Sequence, residues 1–174
     1  MMYLGVYFGS TVFFMGVYFF WRFLLEVVLK NKSYLDKNYK DRSFVLSCWT
    51  ANTHHAIVAI YAFYNLTNPL CDKYDGFFTW FNDEKCLVTS DKRHVYIAAI
   101  SGGYFIYDGI VLFCMVQSYD ALGLQTLAHH IIASSGLFVG VMAGYGAAGI
   151  ANLTCLSEIS TIFLNYRSMY PKDR

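Results

Sequence analysis

The chain has 174 residues, the length of one domain, and balances 13 Lys and Arg against 12 Asp and Glu. Apolar residues make up 56% and charged residues only 14%, a composition too apolar for an ordinary soluble domain. The near-zero charge balance excludes nucleic acid as a partner on electrostatic grounds.

A helix needs roughly 20 apolar residues to cross the hydrocarbon core of a bilayer, and five runs meet or approach that length. The first, residues 3–29, has no basic segment ahead of it and no small-residue cleavage site, and it is longer than the apolar core of a signal peptide. It reads as a helix that stays. Arg22 and Glu26, one turn apart near its end, are spaced to pair along the helix. The following loop, KNKSYLDKNYKDR, is rich in Lys and Arg, as is the tail with Arg167, Lys172 and Arg174. The positive-inside rule therefore places the N-terminus outside and the C-terminus inside.

The second run, residues 44–66, carries His54 and His55 at its middle. Ser47, Thr50, His54 and Tyr61 share one helical face. Adjacent residues diverge by about 100° on a helix, so one histidine of the pair is expected on that polar stripe. The loop beyond holds Cys71 and Cys86, which suit either a disulfide in an oxidising lumen or two unpaired thiols.

The third run, residues 95–116, has Asp108 near its middle. Ionised there, a carboxylate costs about 3 kcal/mol on insertion scales, so it is protonated, paired with a cation or in contact with water. Gly102, Gly103 and Gly109 let neighbouring backbones come close around it.

The fourth run, residues 127–145, opens with His129 and His130, one turn before Ser134. Gly136, Gly140 and Gly144 form a double GxxxG ladder, expected to seat another helix. The fifth run, residues 150–166, is the shortest and carries Asn152, Thr154, Ser157 and Glu158. Thr154, Glu158, Thr161 and Asn165, spaced four, three and four, make one face polar throughout. Such a face is expected to meet the polar faces of runs two, three and four rather than lipid.

The predicted fold is all-α: a single domain, residues 1–174, forming an integral membrane bundle of about five transmembrane helices. Core helices of a soluble all-α protein are the other reading of these runs; their number, length and spacing favour the membrane. Ionisable groups at membrane depth usually face the bundle interior. His54, His55, Asp108, His130, Glu158, Thr161 and Asn165 are therefore expected to line one polar cavity. Within it His129, His130 and Asp108 are the candidates for acid–base chemistry, although a proton path or a passive polar core would use the same groups. No cofactor or metal is implied: the sequence has no P-loop, GxGxxG, GxSxG, CxxC pair or multiple-histidine di-iron pattern.

The stretches NTHHAIVAIYAFYNL, GGYFIYDGIVLF, HHIIASSGLF and CLSEISTIFLNYR resemble, in order and spacing, the TLC-domain membrane proteins. That family is named for translocating-chain-associating membrane protein, Lag1-type ceramide synthases and a neuronal ceroid lipofuscinosis protein. The resemblance covers roughly residues 43–167 and is closest to the small TLC-domain-containing proteins. It points to His55, Asp108, His130 and Glu158, with Ser160, Thr161, Asn165 and Arg167 in the closing motif. Ceramide synthases use a histidine pair and a later aspartate pair. Here the histidines are His129 and His130, but the aspartate region is CLSEIS with one glutamate, which argues against that activity. Family members usually continue with further spans, so the polar face of the fifth run is expected to need a cover, from other membrane subunits or a second copy.

These features imply a protein of membrane lipid homeostasis that binds or modifies lipid in the endoplasmic reticulum or a related endomembrane. The alternative is an accessory subunit without catalysis in a large membrane complex, for example a respiratory assembly of the mitochondrial inner membrane. A proton or small-solute transporter is the third reading.

Overall fold

The computed structural model describes residues 2–67, 92–143 and 148–169. The loop with Cys71 and Cys86, and Gly144 of the glycine ladder, lie outside them. Every described element is helical. Helix α1 (Met2–Phe23) continues into a π-helical turn, Leu24–Val28. A short helix α2 (Lys32–Leu35) leads to α3 (Tyr39–Thr67), and α4 (Lys92–Val111) again ends in a π-helical turn, Leu112–Val116. Helices α5 (Ala121–Ala143) and α6 (Ala148–Met169) complete the bundle.

Three segments among the described residues are long and apolar enough to cross a bilayer: Met2–Val28, Lys92–Val116 and Gly123–Met142. Helices α3 and α6 have the length, at 29 and 22 residues, but each carries polar groups mid-span, among them the His54–His55 pair and Glu158. Three of the five expected spans thus qualify by both length and apolarity.

Local chemistry sets the ends. Asp120 accepts from the Gly123 backbone N–H at 2.7 Å and its carbonyl from that of Leu124 at 2.9 Å, which starts α5. Asn38 caps α3 by accepting from the Asp41 N–H at 3.0 Å. After the π-helical turns the chain reverses through left-handed residues, Lys30 (φ 46°) and Gln117 (φ 55°), positions that ordinarily favour glycine or asparagine.

Helix α4 is the hub, packed on α1, α3, α5 and α6, while α3 makes its broadest contact with α6. Glycine permits the α1–α4 contact. A β-carbon on Gly103 would overlap the Tyr7 carbonyl oxygen and Ser10 Oγ, and one on Gly102 would overlap the Tyr7 ring. The hydroxyls of Ser10 and Thr11 then reach α4 carbonyls, Ser10 to Ile100 at 3.2 Å and Thr11 to Gly103 at 2.9 Å. Gly109, by contrast, stands in ordinary contact distance of Leu127.

The bundle has an apolar outside and a partly polar inside. Phe8, Val12, Phe13, Phe19, Phe20 and Phe23 of α1 are exposed, as suits a surface solvated by lipid. Thr50, His54, His55, Asp108 and Ser101 are buried among Phe14, Tyr104 and Tyr107. Water would favour the reverse arrangement.

Gly136 and Gly140 of the glycine ladder do not seat a helix among the described residues. Nothing among the described residues lies within 4 Å of where a β-carbon at Gly136 or Gly140 would stand. Helices α5 and α6, though consecutive, barely touch, because both pack on α4 rather than on each other.

Candidate functional site

Two histidine–carboxylate pairs cross the interior, each joining two helices. His55 Nδ1 of α3 stands 3.0 Å from Glu158 Oε2 of α6. His130 Nδ1 of α5 stands 3.3 Å from Asp108 Oδ2 of α4. Neither Nδ1 makes a hydrogen bond of good angle, so the attraction across each pair is chiefly Coulombic. On its other oxygen Asp108 accepts from Ser47 Oγ of α3 at 3.0 Å, so one carboxylate ties three helices together.

The pairs share one field. His55 lies within electrostatic reach of Asp108, and His130 and His129 within reach of Glu158. In a low-dielectric interior such a cluster is tolerable only near electrical neutrality. Each pair meets that condition either as imidazolium with carboxylate or as imidazole with carboxylic acid.

His54 fills the space beside the pairs. Its ring stacks on Tyr104 at 3.8 Å between centroids and 6° between planes, and its Nε2 lies 3.3 Å from Ser101 Oγ. Phe14 meets it edge-on at 5.4 Å. Both histidines of the pair are buried, His54 1% and His55 5% exposed, and it is His54 that shares the helical face of Ser47 and Thr50. The inward arc of α3 is wide enough for both because α4 packs on one side of it and α6 on the other. The pair at His129 and His130 does divide: His130 is buried on Asp108, while His129 is exposed and touches Phe105 only at ring distance, 6.0 Å.

The α6 stripe is covered further than its sequence suggests. Asn165 Nδ2 donates to Asn52 Oδ1 of α3 at 3.0 Å, one level away from the His55–Glu158 pair. Thr161 lies half-buried between those levels, while Thr154 is exposed. Ser157 and Ser160, also exposed, satisfy their own hydroxyls by donating to the carbonyls of Thr154 and Ser157 at 2.6 and 2.8 Å. They therefore need no outside partner. Arg167 is exposed near the end of α6.

Several residues of this region were not singled out in the sequence. Asn52, Ser101, Tyr104 and Tyr7 take part through partners distant in the chain. Ser101, Tyr104 and Asp108, spaced three and four, form a polar face on α4 that helical spacing alone could have revealed.

Beside the His130–Asp108 pair a cavity of about 640 Å³ opens between α1, α4 and α5. Phe8, Phe105, Ile110, Phe113, Leu127 and Phe138 are among its apolar walls, with His130 and Ser135 as polar points. Ser134, at its edge, is occupied: it donates to the Gly102 carbonyl at 3.2 Å, and the Tyr7 hydroxyl donates to its carbonyl at 2.8 Å. Along α5 the lining extends from Leu127 to Val139, roughly 18 Å of helix. His130 turns Nδ1 to Asp108, which leaves Nε2 for whatever enters. His55, Glu158 and His129 do not line this cavity. Among the described residues no group of three or more His, Cys, Asp or Glu is placed to hold a metal ion.

A family model describing the TLC domain, the domain of the TRAM, LAG1 and CLN8 proteins, matches residues 43–172. The chain belongs to the TLC-domain family. The matched segment contains both histidine–carboxylate pairs and excludes α1, whose Tyr7 and Phe8 close one side of the cavity. Together with the apolar helices, the match identifies an integral membrane protein of a family associated with membrane lipids. No curated protein and no solved structure matches the chain.

Proposed function

We propose that this TLC-domain protein binds a membrane lipid in the cavity between α1, α4 and α5 and acts in membrane lipid homeostasis. One observation carries the proposal: an otherwise apolar cavity has, as one of its few polar points, a buried imidazole backed by a buried carboxylate. An acyl chain fits walls of Phe, Leu and Ile, and gains from leaving competing polar contacts outside. The polar part of the lipid, its ester, amide or hydroxyl, would meet His130 Nε2 and Ser135. Asp108 holds the ring in place and sets which nitrogen faces the lipid. The same arrangement could move a proton to or from that lipid, with His130 as the base and Asp108 as its partner.

The test is a phospholipid carrying a photoreactive group on its acyl chain, incorporated with the purified full chain and mapped by mass spectrometry after illumination. Adducts concentrated on Phe105–Cys114 and Leu127–Val139 are expected, together with an altered cellular lipid profile for His130→Ala when compared at matched protein level. Adducts spread evenly over the outer face of α1, with an unchanged profile, would sink the proposal.

A second reading has its own observation. The small-residue face at Gly136 and Gly140 meets nothing among the described residues, and α5 barely touches α6. Both suit an accessory subunit whose α5 receives a helix of another membrane protein or of a second copy, whether in the endoplasmic reticulum or in an assembly of the mitochondrial inner membrane. After mild detergent extraction that reading requires migration within a larger particle. Free monomer as the main species rules it out.

A further inference from the structure

Away from the interior, where α1 ends, Glu26 is shared by two arginines. Arg22 Nε donates to its carboxylate oxygens at 3.2 and 3.3 Å, and Arg42 Nη1 of α3 stands 3.9 Å away. Tyr34 of α2 donates its hydroxyl to the same carboxylate at 3.4 Å. One carboxylate therefore faces two guanidinium groups, and most of their N–H donors are not used on it. Arg42 Nε is buried with no hydrogen-bond partner, a costly state for a charged group's donor.

Around this pair the segment from Arg22 to Arg42 has six basic side chains and three acidic ones. Asp41 is engaged by Asn38 Nδ2 at 2.9 Å. No ion pair among the described residues uses Lys30, Lys32, Lys37 or Lys40. Lys30 is held in a left-handed conformation, φ 46°, where a lysine is less comfortable than glycine. On α1 the exposed Phe19 and Phe23 flank Arg22, so apolar surface and guanidinium adjoin on one face.

We propose that Arg22 and Arg42 form a binding site for the phosphate of an anionic phospholipid. The lipid's tails lie over Phe19 and Phe23, and its headgroup lies against Lys30 and Lys40. Guanidinium forks suit phosphate oxygens better than point charges do, and the Arg42 side chain is one-third exposed. Lipid rather than free phosphate is the source, because the apolar side chains beside Arg22 are placed where acyl chains would lie. This site is separate from the His130 cavity and holds or fails independently of it.

The experiment uses the purified full chain in detergent, offered phosphatidylglycerol or phosphatidylcholine of identical acyl chains, with retained lipid read by native mass spectrometry. Selective retention of phosphatidylglycerol is expected. Arg22→Gln/Arg42→Gln should weaken it roughly thirtyfold, at about 1 kcal/mol per basic residue. Lys92→Gln, which removes a positive charge at the far end of α4, should leave it unchanged. Should the double variant fail to fold, Arg42→Lys decides: it keeps the charge, loses the fork, and should weaken retention severalfold. Equal retention of the two lipids, or undiminished retention by the double variant or by Arg42→Lys, overturns the site. Displacement of the lipid by inorganic phosphate alone overturns the lipid as its occupant.

Discussion

His130 Nδ1 stands 3.3 Å from Asp108 Oδ2, and Ser47 donates to the opposite carboxylate oxygen at 3.0 Å. Helices α3, α4 and α5 are thereby joined at one buried group. The pair shapes the bundle as well as the cavity it borders, and the two roles separate by experiment. His130→Ala takes from Asp108 its nearest cationic partner and should cost about 3 kcal/mol of stability, the scale for orphaning one member of a buried pair. Asp108→Asn keeps an acceptor for Ser47 and should cost less. Thermal unfolding in detergent measures all three variants. The double variant should lose less than the sum of the singles; strictly additive losses would mean that the two groups do not interact.

The second pair makes a parallel prediction on α6. Glu158→Leu removes the partner of a 95%-buried His55, whereas Asn165→Leu breaks one neutral hydrogen bond to Asn52. The first should cost about 3 kcal/mol and the second about 1 kcal/mol. His55→Leu combined with Glu158→Leu should recover part of the loss, because no charge is then left without a partner. If Glu158→Leu proves as mild as Asn165→Leu in the same unfolding measurement, the His55 contact contributes nothing to stability.

The helices were legible in the sequence because apolar run length decides them. Residues 95–116 coincide with α4 and its π-helical turn, and 127–145 lie close to α5, for that reason. The polar positions were legible too, since Asp108 and Glu158 stand out against lipid-like neighbours. Pairing was not. Periodicity gives the azimuth of a side chain on its own helix but says nothing of which helix lies opposite, so His55 with Glu158 and His130 with Asp108 had to come from packing. The glycines show the same limit. Gly102 and Gly103 receive Tyr7 and Ser10, yet Gly136 and Gly140, with the stronger motif, receive nothing within the described chain.

That contrast is testable with single methyl groups. Gly103→Ala drives a β-carbon into the Tyr7 carbonyl and Ser10 Oγ, and backbone cannot step aside as a flexible side chain can. It should destabilise the protein by about 1–3 kcal/mol. Gly136→Ala meets open space and should leave the stability of the isolated chain unchanged or slightly raised, alanine being the better helix former. If the accessory-subunit reading holds, Gly136→Ile should also release the protein from its large particle on a native gel without lowering the melting temperature of the free chain. Equal melting losses for Gly103→Ala and Gly136→Ala would contradict the close α1–α4 approach.

Tyr34 supplies a pH dependence outside the membrane-spanning helices. Burial, and secondarily the negative charge of Glu26, push its phenol up to about 12 from an ordinary value of 10.0. The neutral phenol is the form the fold prefers. Its contribution is therefore fully present below pH 10 and is lost as pH rises through 12, when an ionised Tyr34 would face the Glu26 carboxylate at the hydrogen-bond distance of 3.4 Å. Phenolate absorbance should show one fewer tyrosine titrating above the ordinary range in Tyr34→Phe. Protease cleavage within the segment Leu29–Tyr39 should rise steeply across the same interval in the wild type. In Tyr34→Phe, which cannot ionise, that rise should be much flatter, while cleavage at neutral pH stays close to wild type because a 3.4 Å hydrogen bond is weak. An identical alkaline rise in both proteins would show that Tyr34 does not hold α2 against the bundle.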